Sequence, residues 1–262
     1  MRQLTSFACE GCQLVGTLDD APGTTGVLIV SGGNEIRIGA HRGMAWLAAE
    51  IAAAGHPVFR YDRRGIGDSE GANGGFESGR PDLIAATATF RTAQPQLTRV
   101  IGFGNCDAAS TLALWGHDAG LDGLLLANPW VIEAESGEPP AEAIRARYAD
   151  RLRRPSEWKR LLTGGVNLGK LARGLARVVR PAPPTGLAPR IAAALDAWPS
   201  GVAILLAERD NTALAFDNAF KTRCFAGVRE RAAQHRIASS SHSFASAEDK
   251  LWLRERVLAA LG

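Results

Sequence analysis

The sequence predicts an α/β fold with an eight-stranded, mostly parallel sheet, helices on both faces and an inserted helical segment. Short apolar runs alternate with helix-like stretches along most of the chain, and such alternation is typical of a parallel sheet covered by helices on both sides. Most of the runs are apolar at nearly every position, as buried parallel strands are. The insertion is predicted from a long stretch, 130–199, that contains no such run.

The predicted strands follow one another from the first residues to the last fifth of the chain. The first two flank Glu10-Gly11, a pair that is typical of a two-residue hairpin turn. The eight strands are predicted at residues 3–8, 13–18, 26–30, 57–61, 99–103, 123–127, 201–207 and 236–239.

Helices are predicted between the strands by the spacing of apolar side chains. The clearest is 40–54, where Met44, Leu47 and Ile51 share one face and Gly55 follows the last turn. A second follows the strand at 99–103, and a third, 247–260, ends the chain.

The stretch without strands predicts a cap inserted into one core. We expect residues 1–129 and 200–262 to form the core and residues 130–199 to form a helical cap. Its central part, 145–190, holds about a dozen Lys and Arg residues against two acidic ones. These charges could contact an anionic substrate such as an acyl-CoA or a carboxylated sugar, an acidic carrier protein or a membrane surface. The alternative is a solvated helix face.

Composition and charge exclude several classes of protein. The chain has 262 residues, 46% of them hydrophobic and 22% charged, which is close to the average for globular domains and enough for one large core. Its net charge of +3 is too small to indicate a nucleic-acid partner. Four cysteines do not make a disulfide framework in a chain of this length. With neither a membrane-spanning run of about 18 apolar residues nor a signal-peptide pattern, we expect a cytoplasmic protein.

The segment Gly104-Asn105-Cys106-Asp107-Ala108 carries the strongest functional signal. It joins a predicted strand to a predicted helix, and a nucleophile on such a sharp turn needs small residues two positions before and two positions after it. Gly104 and Ala108 meet that need. A cysteine at a helix N-terminus is favoured as the reactive thiolate. We therefore predict that Cys106 is a nucleophile, the alternative being a small buried residue.

A nucleophile of this kind needs a base and an acid that orients the base. In chain order the acid follows the nucleophile, and the histidine comes last. Asp210 lies a short turn beyond the strand predicted at 201–207, and we prefer it to Glu208 and Asp217. Its alternative role is to cap the next helix.

The base is predicted from the same order. His242 follows the last predicted strand and precedes the C-terminal helix. A lone loop histidine is more often a solvated surface residue, but this one would complete the set. The other candidates are His41, His56, His117 and His235.

Three further segments, together with the turn Gly104–Ala108, which we call the elbow, and with Asp210 and His242, carry a family resemblance. The segments are Ser31–Asn34, Tyr61–Gly71, which contains Asp-Arg-Arg-Gly-Ile-Gly-Asp-Ser, and Ala127–Trp130. The chain resembles the α/β-hydrolase superfamily, and more closely its exosortase A system-associated hydrolases of the "hydrolase 1" group. The resemblance implies the α/β-hydrolase fold and acyl chemistry. We expect neither a cofactor nor a metal.

The cysteine at the elbow departs from the usual serine of that superfamily. In this respect the chain resembles dienelactone hydrolases and polyhydroxyalkanoate synthases. The resemblance implies an ester, thioester or lactone as the small-molecule acyl substrate, and the basic charge of the predicted cap could fit an anionic or carrier-bound one. A place beside exopolysaccharide or surface-protein export is implied by the family's name alone.

The resemblance also implies where the oxyanion of the reaction would be bound. Backbone N–H groups of Gly33 or Asn34, together with that of Asp107, would hold it; the alternative is a plain glycine turn after a strand. Arg37 and Arg42 are candidates for binding a substrate carboxylate.

Aromatic residues of the predicted cap are candidates for the acyl pocket. Trp130, Tyr148 and Trp158 could line it, the alternative being packing within the cap.

The remaining cysteines carry weaker signals. Cys9-Glu10-Gly11-Cys12 is a single pair, and a structural zinc site would need two more ligands. We expect Cys224 to be part of the core.

Three functions fit these residues. The favoured one is a hydrolase that uses a Cys106–His242–Asp210 triad and an acyl-enzyme. The first alternative is an acyltransferase with the same triad, in which an alcohol or amine replaces water. The second is a catalytically silent binding module on the same fold.

Overall fold

Eight strands form one sheet in the computed structural model, which describes residues 1–132 and 186–262. Their spatial order is β1-β2-β4-β3-β5-β6-β7-β8. The strands are β1 Arg2–Cys9, β2 Cys12–Asp19, β3 Thr25–Val30, β4 Val58–Tyr61, β5 Arg99–Asn105, β6 Gly123–Ala127, β7 Val202–Ala207 and β8 Ala233–Ile237.

The sheet is antiparallel at one edge and parallel elsewhere. Strand β1 pairs with β2, and β2 with β4, in antiparallel register. All pairs from β4 through β3, β5, β6 and β7 to β8 are parallel. The carboxyl ends of β5, β6, β7 and β8 therefore lie along one edge, where ligands bind in open α/β sheets.

Helices cover both faces of the sheet. The α-helices are α1 Gly43–Ala53, α2 Arg80–Ala93, α3 Asp107–Trp115, α4 Leu187–Asp196, α5 Asn211–Phe220, α6 Ala226–Arg231 and α7 Ala247–Leu261. Short 3₁₀ turns lie at Ala40–Arg42, Phe76–Ser78 and Arg223–Phe225.

Alternate side chains of the central strands point to opposite faces of the sheet and pack into two separate hydrophobic clusters. Leu28 and Val30 pack with residues of α2, α3, α4 and α5. Val27 and Ile29 pack on the opposite face with residues of α1 and α7. Burial of both faces explains why these strands are apolar at successive positions.

The sequence prediction of eight strands, with a hairpin first, is confirmed, and seven of the strands lie close to their predicted positions. The last strand lies at Ala233–Ile237, three residues before its predicted start, so His235 is inside it and not ahead of it. The physical reason is that β8 pairs only with β7 and leaves much of its length exposed. An exposed edge strand needs no apolar run.

The predicted cap lies largely outside the described residues. This holds for the basic segment and for Tyr148 and Trp158. Within the described part of the predicted cap, α4 packs against the core through Ile191 and Leu195. No helix among residues 1–132 and 186–262 is long and apolar enough to span a membrane.

The cysteines outside the elbow are free thiols. Cys9 and Cys12 face each other across the hairpin, whose turn residues Glu10 and Gly11 both have positive φ. Burial, together with the charge of Asp82, raises the pKa of Cys9 to about 11. The prediction that Cys224 is a core residue is wrong: it is exposed on a 3₁₀ turn, which the sequence pattern did not reveal.

Candidate functional site

Cys106 stands on a sharp turn between β5 and α3. Its backbone has φ 64° and ψ −128°, an unusual conformation for a residue other than glycine, and it occupies the N-cap position of α3. A Cβ on Gly104 would lie 2.8 Å from the carbonyl carbon of Ala108. The elbow therefore needs glycine at this position, as the spacing in the sequence predicts.

Asp210 follows β7 and does two things with one oxygen. Its Oδ2 accepts hydrogen bonds from the backbone N–H groups of Thr212 and Ala213, both at 3.1 Å, and so caps α5. The same oxygen lies 3.0 Å from Nδ1 of His242. Capping and orienting a histidine are therefore compatible here.

His242 lies between Asp210 and Cys106. Hydrogen bonds to Asp210 and to Cys106 raise the pKa of the imidazole to about 10, against burial, which lowers it. An imidazole with this pKa is protonated near neutral pH, with Nδ1 directed at the carboxylate. The geometry thus brings together the three side chains predicted from sequence.

Among residues 1–132 and 186–262, none of the other histidines has such a partner. His41 is exposed, and His117 packs edge-on against Trp198. Nδ1 of His56 lies 3.1 Å from the carbonyl oxygen of Thr25. Burial and the charge of Arg256 lower the pKa of His235.

The alternative acids lie elsewhere. Asp217 pairs with Lys221 and with Arg236, each at 2.5 Å. Burial raises its pKa, but the hydrogen bonds from these two cations outweigh it and lower the pKa overall. Glu208 is exposed.

The loop after β3 lies directly against the elbow. A Cβ on Gly32 would lie 2.9 Å from Oδ1 of Asp107 and 3.4 Å from the Cβ of Cys106. The backbone N–H of Gly33 donates to Oδ1 of Asp107 at 2.6 Å. One predicted oxyanion donor is therefore occupied by the side chain of the residue that supplies the other. Asn34, the alternative donor, is exposed.

Arg63, which follows β4, contacts the loop after β3, and we predicted no role for it from the sequence. Its buried side chain donates from Nη2 to the carbonyl oxygen of Gly33, and the same nitrogen lies 3.9 Å from Oδ2 of Asp107. Nε and Nη1 of Arg63 are buried and have no hydrogen-bond partner in the described part of the chain. The only sequence signal was its position in the Tyr61–Gly71 segment.

The predicted substrate-binding residues differ in their surroundings. Arg37 pairs internally with Asp62 and with Asp68, and its Nε donates to the Thr17 hydroxyl at 3.1 Å. These contacts attach its loop to the sheet and do not favour the predicted role in substrate binding. The exposed Arg42 has a left-handed backbone at the start of α1.

Trp130 lies beside the nucleophile through its backbone. Its N–H donates to the carbonyl oxygen of Cys106 at 3.1 Å, while its side chain is partly buried against the core.

Several solved structures share this architecture. The esterase Pf2001 of Pyrococcus furiosus has a TM-score of 0.66 at 14% identity, over 100% of this chain and 89% of its own. The α/β hydrolase GrgF of Penicillium sp. sh18 has a TM-score of 0.65 at 17% identity, over 100% and 98%. A thioesterase domain from the curacin biosynthetic pathway has a TM-score of 0.60 at 13% identity, over 98% and 99%.

These similarities, with the strand order, show that the chain has the α/β-hydrolase fold. No protein-family model matches the sequence, and no curated protein matches it significantly. The candidate site lies at the carboxyl ends of β5, β7 and β8. In space, the imidazole of His242 lies between the thiol of Cys106 and the carboxylate of Asp210.

Proposed function

We propose that the protein hydrolyses an ester, thioester or lactone through a Cys106–His242–Asp210 triad and an acyl-enzyme. One observation carries the proposal: Nδ1 of His242 lies 3.0 Å from Oδ2 of Asp210, and the pKa of its imidazole is raised both by Asp210 and by Cys106, which stands on a strained elbow. A nucleophile, a base and an orienting acid in this arrangement are the parts that covalent acyl transfer needs.

The first half of the reaction makes the acyl-enzyme. The Cys106 thiolate forms a bond to the substrate carbonyl carbon, and the π electrons of the carbonyl group move to its oxygen. The intermediate collapses, the bond to the alkoxide or thiolate leaving group breaks, and the leaving group takes a proton from the His242 imidazolium. The raised pKa of His242 supplies that proton near neutral pH.

The second half restores the enzyme. Neutral His242 takes a proton from water, whose oxygen bonds to the acyl carbon. The resulting intermediate expels the Cys106 thiolate and releases the carboxylic acid. Asp210 keeps Nδ1 of His242 protonated and in place throughout, and does not itself take a proton.

The developing oxyanion would bind at the elbow and the loop after β3. The N–H of Asp107 begins α3, where the helix dipole favours negative charge. The N–H of Gly33 becomes the second donor once the Asp107 carboxylate leaves it. The structural neighbours include an esterase and a thioesterase domain, which supports acyl esters and thioesters as the class of substrate.

Intact-protein mass spectrometry tests the proposal. The protein is mixed with a panel of acyl thioesters, activated esters and lactones, and we expect the mass to rise by one acyl group that peptide mapping places on Cys106. Loss of the adduct with time in water alone indicates hydrolysis. Loss only after an alcohol or amine is added indicates the acyltransferase.

Two controls make the mass measurement specific. Cys106→Ala must remain unmodified, and Cys12→Ala, which removes a free thiol on β2, must label as the wild type does. If no member of the panel gives an adduct on Cys106, the chain is better described as a silent binding module.

A further inference from the structure

The segment Ala127-Asn128-Pro129-Trp130 has no role in the proposed reaction, yet it holds the elbow on both sides. The N–H of Cys106 donates to the carbonyl oxygen of Ala127 at 3.0 Å, and the N–H of Trp130 donates to the carbonyl oxygen of Cys106 at 3.1 Å. The segment therefore fixes both backbone polar groups of the candidate nucleophile.

Asn128 is completely buried in this segment, with φ 41°. Its Oδ1 accepts from the N–H of Ala207 at 2.9 Å. Its Nδ2 donates to Oδ1 of Asn105 at 3.1 Å and to the carbonyl oxygen of His242 at 3.3 Å. One amide thus connects the end of β7 to the elbow and to the histidine loop.

Asn105, the residue before the nucleophile, directs its own amide to the same place. Its Nδ2 donates to the carbonyl oxygen of His242 at 3.0 Å. The orientation of both amides is fixed by chemistry, because the N–H of Ala207 can only donate and the carbonyl of His242 can only accept. Two donors therefore converge on one backbone oxygen.

Within the described residues, the other hydrogen bonds of the His242 loop are made by its neighbours and do not involve the backbone of His242. The loop contains no helix or strand between Ile237 and Ala247. Before the histidine, the N–H of Arg209 donates to the carbonyl oxygen of Ser239, whose hydroxyl donates to Asp249. After it, the N–H of Ala245 donates to the Ser241 hydroxyl, and Phe244 is buried against Trp252. The backbone of His242 itself is held by the two amides.

We propose that Asn105 and Asn128 are positioning residues that fix the backbone of His242, so that its imidazole lies between Cys106 and Asp210. The inference rests on the proposed triad. It assigns the work of aligning the base to a buried amide pair that connects the elbow and β7 to the histidine loop. Loss of either amide lets His242 move, which weakens its hydrogen bonds to Asp210 and to Cys106 together.

The test is the pH titration of the His242 ring nitrogens, followed by ¹⁵N NMR, beside steady-state kinetics on an ester that the wild type hydrolyses. Asp210 and Cys106 are the titratable groups that face this imidazole. We expect a wild-type midpoint near 10. In Asn105→Ala and in Asn128→Gly we expect it to fall by at least one pH unit, and kcat to fall about tenfold with KM within twofold.

The two variants are chosen so that at least one of them is expected to fold. Glycine adopts positive φ freely, so Asn128→Gly removes the amide without straining the backbone. Asn105 is only partly buried, so Asn105→Ala keeps the test available if the Asn128 variant does not fold.

The matched control is Gln94→Ala, which removes a buried amide near the amino end of β5, away from the carboxyl ends where the candidate site lies. Gln94 precedes β5, and its Nε2 donates to Oδ1 of Asp20 at 3.1 Å. This variant should lower the melting temperature and leave the His242 midpoint unchanged.

Each outcome decides the matter. An unchanged midpoint in both asparagine variants, or an equal change in Gln94→Ala, overturns the positioning role. A wild-type midpoint near 6.5 overturns it as well, because His242 would then lack its partners. A midpoint near 10 that falls in the variants, in a protein that forms no acyl-enzyme, supports positioning and contradicts only the proposed hydrolysis.

Discussion

The candidate site has two halves, the proton-transfer side around His242 and the oxyanion side around Gly33, which differ in the groups that their hydrogen-bonding atoms already contact. On the proton-transfer side, His242 hydrogen-bonds to Asp210, and the pKa of its imidazole is raised by Asp210 and by Cys106, the two partners that the proposed reaction needs. On the oxyanion side, the N–H of Gly33 is occupied by the carboxylate of Asp107. The proton-transfer side, which we call the assembled half, is thus arranged for the proposed chemistry. On the oxyanion side, the occupied half, the Asp107 carboxylate must leave the N–H of Gly33 before an oxyanion can bind there.

The difference follows from where the negative charges lie. The Asp210 carboxylate faces the imidazole of His242, which is positive near neutral pH, so its charge stabilises the imidazolium. The Asp107 carboxylate lies where the proposed reaction develops negative charge, and like charges repel. Nη2 of Arg63 lies 3.9 Å from Oδ2 of Asp107, and two further nitrogens of this guanidinium have no partner among the described residues. Arg63 is therefore the described cation to which that carboxylate could turn.

The largest expected effect comes from breaking the assembled half. Cys106→Ala and His242→Ala should each lower kcat by about 10³ or more, with melting temperatures within a few degrees of the wild type. The double variant should be little worse than Cys106→Ala alone, because acyl-enzyme formation needs both groups and already stops when one of them is lost. Cys106→Ser should keep only weak activity, since a hydroxyl is a much weaker acid than a thiol.

His235→Ala is the control for the base. His235 lies inside β8 and has no part in the candidate site, so turnover should stay within twofold. If His235→Ala abolished turnover and His242→Ala left it intact, the assignment of the base would fail.

A smaller loss, about 10²-fold in kcat, is expected for Asp210→Asn. The amide oxygen can still accept from Thr212 and Ala213, so the cap of α5 and the melting temperature should survive. The charge that favours the imidazolium is lost, so the His242 midpoint should fall toward 6.5. Circular dichroism and ¹⁵N NMR separate the two roles: a large loss of helix stability with an unchanged midpoint would show that Asp210 only caps α5.

The occupied half predicts a gain. Asp107→Ala removes the carboxylate from the N–H of Gly33 but keeps the backbone N–H of residue 107, so kcat on a neutral ester should rise roughly three- to tenfold. Asp107→Asn should lie between the wild type and Asp107→Ala, since its amide oxygen still competes for the donor without a full charge. A hundredfold loss in Asp107→Ala would show instead that the carboxylate holds the loop in its working position.

The parts of the site that could be predicted from sequence are those that depend on residues close together in the chain or on the chain order of the fold. The elbow depends on Gly104 and Ala108, two positions on either side of Cys106, and the chain order of the fold then leads to Asp210 and His242. The contact between Gly33 and Asp107 joins residues 74 positions apart through one side-chain rotamer, so no local pattern announces it. The bond from Asn105 to His242 spans 137 positions and was missed for the same reason. The edge strand β8 was misplaced because exposure removes the apolar signal.

The smallest expected effect is a dependence of stability on pH that only the assembled half should show. The folded-state pKa of His242 is about 10, against an ordinary value of 6.5. A raised pKa stabilises the folded state fully below pH 6.5, and this contribution is lost as the pH rises through 10. His242→Gln should therefore melt a few degrees below the wild type at pH 6, and this gap should narrow steadily between pH 6.5 and 10. Scanning calorimetry of both proteins across that range measures the gap, and His235→Gln, in which no raised pKa is removed, should show no such narrowing. A gap for His242→Gln that stays constant with pH would mean that its imidazole is not held by Asp210 and Cys106 in solution.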